Sequence, residues 1–251
     1  MIDKPMTLSI AGFDPSGCAG LLADIKTFEA FNVYGTAICT ANTIQNDHNF
    51  TKANWIPIDQ ILAQYRSLQN RFYFDHVKIG IIENFEILNT IVDTLRYDNE
   101  HIKIIWDPVL KASAGFKFHR SVNLADIENI CRKIFLITPN LDEITALVPH
   151  LQPEESGMYL SKLCNILIKG GHGEGEKSTD VLYTLQGSKT FEGIRLAGYE
   201  KRGTGCVLSA AITAGLAKGD GLIDACQKAK KYVTNFISSN HSLIGYHNYT
   251  Q

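Results

Sequence analysis

The run richest in chemistry is Lys201-Arg202-Gly203-Thr204-Gly205-Cys206-Val207-Leu208-Ser209-Ala210-Ala211. Its two glycines, followed by an alanine-rich apolar stretch, predict a helix whose first amides have no partner within it. Such a start attracts anions, because free N–H groups and the positive end of the helix dipole face the same point. A phosphoryl group in transfer spreads negative charge over its oxygens, and donors fixed in advance stabilise that charge without reorganising. Cys206 falls in the first turn, where the same field is expected to lower a thiol pKa and suit it to act as a base or a charge-matched contact. A glycine-rich helix start with a purely structural role is the plain alternative. Gly203-x-Gly205 followed by Ser209 is only a partial dinucleotide fingerprint with no clear strand before it, and the Gly-x-x-x-x-Gly-Lys-Ser/Thr phosphate cradle has no match.

Four further segments hold polar groups where a ligand could meet them. In Ala11-Gly12-Phe13-Asp14-Pro15-Ser16-Gly17-Cys18-Ala19-Gly20 the glycines allow backbone to approach a flat ligand. Asp24, one turn into the following helix, is placed to accept from a ring amine or simply to complement the helix dipole. Thr40-Ala41-Asn42-Thr43-Ile44-Gln45-Asn46 sets amides after an apolar strand. Gln45 offers the donor and acceptor that an aminopyrimidine edge needs, although Asn and Gln also serve turns. In Thr138-Pro139-Asn140-Leu141-Asp142-Glu143, Asn140 and Glu143 stand three apart at a helix start, able to organise water around Mg2+ or to form a capping box. Lys169, in Ile168-Lys169-Gly170-Gly171-His172, is a cation at a flexible turn, suited to a nucleotide phosphate or to solvent; His172 has no partner at metal-ligand spacing.

These segments need elements to hold them, and the chain supplies an alternation. Apolar runs at 7–11, 37–41, 76–79, 102–106, 134–137 and 166–168 have the length and β-branching of buried strands. Amphipathic stretches at 20–31, 58–70, 84–95, 123–133 and 141–147 read as helices between them, which predicts a largely parallel sheet covered on both faces. Residues 180–191 break the pattern: Val181-Leu182-Tyr183 and Lys189-Thr190-Phe191 flank Gln186-Gly187-Ser188 as an antiparallel edge hairpin. Two helices, 204–217 and 221–238, close the chain. In such sheets ligands bind beyond the carboxyl ends of the strands, so chemistry is expected in the loops after these runs, several of which are rich in polar residues and glycine.

With 251 residues, 45% apolar content and no internal repeat or linker, the expectation is one domain over 1–251. A net charge of -2 with scattered Lys and Arg gives no basic surface for nucleic acid. The six cysteines show no CxxC pairing or zinc-ligand spacing and read as reduced thiols. Neither a signal peptide nor a run long enough to span a bilayer is found, so a cytoplasmic protein without membrane contact is expected.

Taken together the segments resemble the ribokinase-like superfamily, and within it the hydroxymethylpyrimidine/phosphomethylpyrimidine kinases. The resemblance is carried by Asp14-Pro15-Ser16-Gly17-x-Ala19-Gly20-x-x-Ala23-Asp24-x-Lys26-Thr27-Phe28, Thr43-x-Gln45-Asn46, Lys78-Ile79-Gly80, Thr138-Pro139-Asn140-Leu141-x-Glu143, Lys169-Gly170-Gly171-His172 and Gly203-Thr204-Gly205-Cys206-x-Leu208-Ser209. It implies a three-layer α/β fold and ATP-dependent phosphorylation of 4-amino-5-hydroxymethyl-2-methylpyrimidine, with Mg2+, in a homodimer. It further implies that Gly12, Ala19, Asp24, Thr43, Gln45, Ile81 and Val109 hold the pyrimidine. Asn140 and Glu143 fall near Mg2+ and the phosphates, Lys169 near the nucleotide, and Gly203, Thr204, Gly205 and Cys206 around the transferred group. Cys206, where many superfamily members carry Asp, is similar to the pyrimidine-kinase branch. The chain departs from the pattern at Tyr199-Glu200-Lys201-Arg202, where the family has Asn-Thr-His, at Leu22 for Gln, at Ala114-Gly115 for Ser-Gly, and in lacking a His-rich tail. These departures bear on the second phosphorylation, from monophosphate to pyrophosphate. A pyridoxal or pyridoxine kinase is the neighbouring reading, and a vitamin-precursor binding protein without transfer is the reading from another class.

Overall fold

The computed structural model describes residues 4–110, 123–171, 177–196 and 198–247, so Ala114, Gly115 and His172 lie outside the described residues. The strands are β1 (Met6–Phe13), β2 (Tyr34–Gln45), β3 (Phe50–Trp55), β4 (His76–Ile79), β5 (Lys103–Trp106), β6 (Leu136–Ile137), β7 (Asn165–Ile168), β8 (Lys177–Thr184) and β9 (Gly187–Ile194). They form one sheet in the order β3-β2-β1-β4-β5-β6-β7-β8-β9. The pairs from β2 through β7 are parallel, while β3, β8 and β9 run antiparallel to their neighbours. After β1 the chain adds β2 and β3 on one side and then crosses to β4 on the other. The crevice between the ends of β1 and β4 is therefore the switch point at which such sheets bind ligands.

Alternation along the strands divides the core in two. On one face Leu8, Ile10, Ile104, Ile137 and Ile166 pack against α2 (Ile58–Gln69), α3 (Phe85–Asp98), α4 (Leu124–Cys131), α5 (Leu141–Leu147) and α6 (Pro153–Leu160). On the other, Ile105, Leu136, Leu167, Leu182 and Phe191 meet α1 (Gly20–Ala30), α7 (Thr204–Ala217) and α8 (Leu222–Ser238). Helix α7 is buried from Val207 through Leu216, lying against α1, α8 and the sheet. Enclosure on every side explains why its sequence is apolar all round and built from small residues, as close approach of three neighbours requires.

The parallel sheet, its two layers of helices and the β8–β9 hairpin match the expectation. The hairpin turn is the two-residue Leu185-Gln186 rather than Gln186-Gly187-Ser188, with Thr184 opposite Gly187. Two elements were not foreseen. Strand β3 gives the sheet a second antiparallel edge, and its pairing extends β2 through Gln45, so Thr43 and Gln45 stand on a strand rather than in a loop. Helix α6 opens with Pro153 inside a Gln152/Glu155 capping box.

Candidate active site

The glycine loop after β1 is held by its own carboxylate. Asp14, 3% exposed, accepts from Ser16 N (2.9 Å), Ser16 Oγ (2.7 Å) and Ala19 N (2.9 Å). That web presents Gly12, Ala19 and the start of α1 to the switch-point crevice. A methyl added at Gly12 would come within 2.4 Å of Ile81 Cδ1, and one at Gly20 within 2.2 Å of Gly12 O. The Ile81 side chain thus lies against Gly12, and the start of α1 lies against the Gly12 carbonyl. Ile81, half-buried, accepts from Thr40 Oγ1 at 2.7 Å through its carbonyl. Thr43 Oγ1 donates to Phe13 O (2.7 Å) and accepts from Gln45 Nε2 (2.9 Å), which fixes the Gln45 amide while its carbonyl oxygen accepts from no described group. Val109, half-buried, follows β5 in a tight turn through Val109 N and Asp107 O. Gly12, Ala19, Thr43, Gln45, Ile81 and Val109 therefore all belong to loops or strand ends on one rim of the sheet.

Asp24 requires a correction. It is fully buried, and its carboxylate accepts from Lys78 Nζ at 2.8 and 3.0 Å and from Ser9 Oγ at 2.5 Å. A group with both oxygens engaged inside the core is not an open acceptor for a ring amine; it holds Lys78. Burial works against the Lys78 ammonium, but the adjacent Asp24 carboxylate holds its pKa above the usual lysine range.

The other side of the site is a chain of charges. Lys169 Nζ donates to Asp107 Oδ1 at 2.7 Å and lies 3.6 Å from Glu143 Oε2. Asp107 also accepts from Thr138 Oγ1 (3.2 Å) and Ser209 Oγ (3.4 Å). Burial alone would raise the Asp107 pKa, yet Lys169 and Lys78 bring it below the usual carboxylate range. At Glu143, burial followed by Asp107 wins over Lys169 and pushes the pKa up to about 7. Asn140 and Glu143 form a reciprocal capping box, Asn140 Oδ1 accepting from Glu143 N (2.8 Å) and Glu143 Oε2 from Asn140 N (2.7 Å). The cap was the plainer of the two expectations and is realised; it also aims the Glu143 carboxylate at Lys169. Among the described residues no cluster of three or more His, Cys, Asp or Glu could hold a metal by itself.

The start of α7 closes the arrangement. Gly203 has φ 73°, and a methyl there would lie 1.8 Å from Cys18 O, so the α7 start and the loop before α1 touch through backbone. A methyl at Gly205 would sit 3.1 Å from Lys169 Nζ and 3.7 Å from Asp107 Oδ2. Thr204, Gly205 and Cys206 are half-buried, and their amides donate to no acceptor among the described residues. The anion-ready helix start expected from the sequence is present and open. The thiol expectation is not met: burial pushes Cys206 up to about 11, with Lys78 and the Gly20 N–H opposing and Asp107 and Asp24 adding. Loss of water outweighs the helix field here, and the thiol stays protonated at neutral pH.

Lys78 and Asp107 are the functional candidates that sequence reasoning left without a role. A lysine inside the apolar run 76–79, and an aspartate immediately after the next strand, were the available signals, since a buried charge demands a partner. The Tyr199–Arg202 departure is also built in: Lys201 Nζ donates to Asn240 O (2.6 Å), Arg202 N to Leu243 O (3.0 Å) and Arg202 Nε to Asp47 O (2.8 Å).

The phosphomethylpyrimidine kinase family model matches residues 14–251. A hydroxymethylpyrimidine/phosphomethylpyrimidine kinase of Aquifex aeolicus is 35% identical over 246 residues, covering 95% of this chain and 96% of that protein. Among solved structures, phosphomethylpyrimidine kinase of Clostridium difficile superposes with a TM-score of 0.76 at 30% identity, covering 94% of this chain and all of the other. An ADP complex of Bacillus subtilis pyridoxal kinase superposes with a TM-score of 0.81 at 28% identity, covering 93% and 92%.

Proposed function

The chain belongs to the phosphomethylpyrimidine kinase family, and from that premise we propose that it transfers the γ-phosphoryl group of ATP to the hydroxymethyl oxygen of 4-amino-5-hydroxymethyl-2-methylpyrimidine, in thiamine biosynthesis. The observation that carries this reading is the open α7 start, three half-buried amides beside the Lys169–Asp107 pair and in contact with the Cys18–Gly20 loop. The pyrimidine lies in the crevice among Gly12, Ala19, Thr43, Ile81 and Val109, its amino edge on Gln45. The γ-phosphoryl group meets the amides of Thr204, Gly205 and Cys206, and the rest of the phosphates extend toward Lys169.

A protonated Cys206 is compatible with this chemistry. The loose transition state of phosphoryl transfer asks little nucleophilicity of the alcohol, whose proton passes to an oxygen of the transferred phosphoryl group as the new O–P bond forms and the bond to ADP breaks. Cys206 then serves as a neighbour of the hydroxymethyl oxygen rather than a strong base, with Lys78 beneath it as fixed positive charge. Mg2+, if bound, would offset the negative charge of the phosphates. Asn140 and Glu143 are the residues that would hold its water shell, the Glu143 carboxylate lying 3.6 Å from Lys169 Nζ. In-line geometry is supplied by two rigid rims that meet at Gly203.

Pyridoxal is the second substrate considered, because the Bacillus subtilis neighbour is a pyridoxal kinase. A coupled ADP-release assay against the pyrimidine alcohol, its monophosphate and pyridoxal decides among them. The highest kcat/KM is expected on the pyrimidine alcohol. A higher value on pyridoxal would move the assignment, and no ADP release on any of the three would refute the transfer reading.

A further inference from the structure

We propose that Arg195 is a ligand of the nucleotide's polyphosphate, an inference that rests on the kinase reading above. Arg195 lies just past the end of β9, above the turn that follows Lys169. Its Nη2 reaches Gly170 O and Lys177 O only at 3.5 Å each, the outer limit of a hydrogen bond, and its Nε is buried with no hydrogen-bond partner among the described residues. A guanidinium carries five N–H donors in a rigid fork and is costly to leave half-used out of water.

The distribution of charge gives this orphan its meaning. Lys78 is spent on Asp24, Lys169 on Asp107 and Glu143, and Lys230 on Asp180. These three lysines are thus each paired with a carboxylate, whereas Arg195 forms no ion pair with a described carboxylate. Incoming ATP brings several negative charges to a site where these three lysines are already balanced. A planar donor fork beside Gly170, one residue beyond Lys169, suits two phosphate oxygens at once. Carbonyl contacts at 3.5 Å cost little to exchange for charge-assisted bonds. The turn beneath is fixed, because Gly170 N donates to Asp180 Oδ1 at 2.9 Å and a methyl at Gly170 would meet Thr179 O at 1.9 Å. Arg195 therefore sits beside backbone that is anchored to β8.

The test is titration calorimetry of the full chain with ATP, ADP and adenosine, with no pyrimidine present, on wild type, Arg195→Met and Arg195→Lys. Loss of the fork is expected to weaken ATP and ADP binding about tenfold or more in Arg195→Met, with adenosine unchanged. Arg195→Lys, which keeps the charge and guards against a misfolded Met variant, is expected to fall between. Equal ATP affinity in all three proteins would overturn the assignment, as would an equal loss for adenosine, which marks a structural role. Because the readout needs no second substrate, failure of the pyrimidine reading in the ADP-release assay leaves this result interpretable.

Discussion

At the scale of single residues, burial decides more than position in the chain. Cys206 occupies a helix's first turn, which by itself favours a thiolate, yet the surroundings push its pKa up to about 11. The pH dependence follows directly. A thiol titrating near 11 has a thiolate fraction that grows about tenfold per pH unit across the neutral range. Alkylation of Cys206 by iodoacetamide, followed peptide by peptide in a mass spectrometer, is therefore expected to accelerate through pH 7 to 9 without levelling. A plateau below pH 8 would restore the activated-thiolate reading. The same rule explains which residues were legible. The glycines at 203 and 205 and the amide of Gln45 announce themselves by type and spacing. The partnership of Asp24 with Lys78 does not, because it joins a helix to a strand 54 residues on, and only the fold shows that both are sealed in the core.

Among the elements, α8 has a reach that its distance from the phosphoryl site conceals. Lys230 on α8 donates to Asp180 Oδ2 at 2.8 Å and to Ser178 Oγ at 2.9 Å, while the other Asp180 oxygen accepts from Gly170 N. One buried carboxylate thus ties α8 and β8 to the turn that carries Lys169. Removing Lys230 alone would strand a buried charge at a cost of about 3–5 kcal/mol, which obscures any functional effect. Two double variants separate the roles. Asp180→Asn with Lys230→Met removes both charges but keeps an acceptor for Gly170, and its KM for ATP is expected to stay within about twofold of wild type. Asp180→Leu with Lys230→Met removes that acceptor, leaving a buried amide unpaired at about 1–3 kcal/mol, and a rise in KM for ATP of about tenfold is expected. Matching steady-state values for the two would show that the carboxylate serves stability alone. Elements also mark where sequence reading stopped. Helix 141–147 and helix 204–217 agree with the structure at both ends, the first because a capping box marks its start and the second because its largely apolar run is bracketed by Gly203 and Lys218. Strand β3 is exposed or half-exposed along its whole length and so lacks the alternation that signals a strand, its pairing to β2 coming from the edge it completes. Helix α6 did carry its signal, a proline after Gln152 with Glu155 two residues on, but sits beside short apolar runs that mask it.

For the molecule as a whole, the site is where the two ends of the chain's path meet. Residues 18–20 leave β1 for α1, residues 203–206 open α7, and nearly the entire sheet is laid down between them. Their junction is backbone on backbone: Gly203 in the left-handed region against Cys18 O. The rim proposed for the pyrimidine and the rim proposed for the phosphates therefore share this contact, and a disturbance at the junction should reach both. Gly203→Ala adds a methyl that has no space and a φ that L residues resist, costing about 1–3 kcal/mol of local strain. Calorimetry is expected to record a lower Tm for this variant, and steady-state kinetics a joint fall in kcat and rise in KM for the pyrimidine. A change at Arg195, by contrast, is expected to register on the nucleotide alone. A Gly203→Ala enzyme with lowered kcat and an untouched KM for the pyrimidine would mean that the two rims move independently.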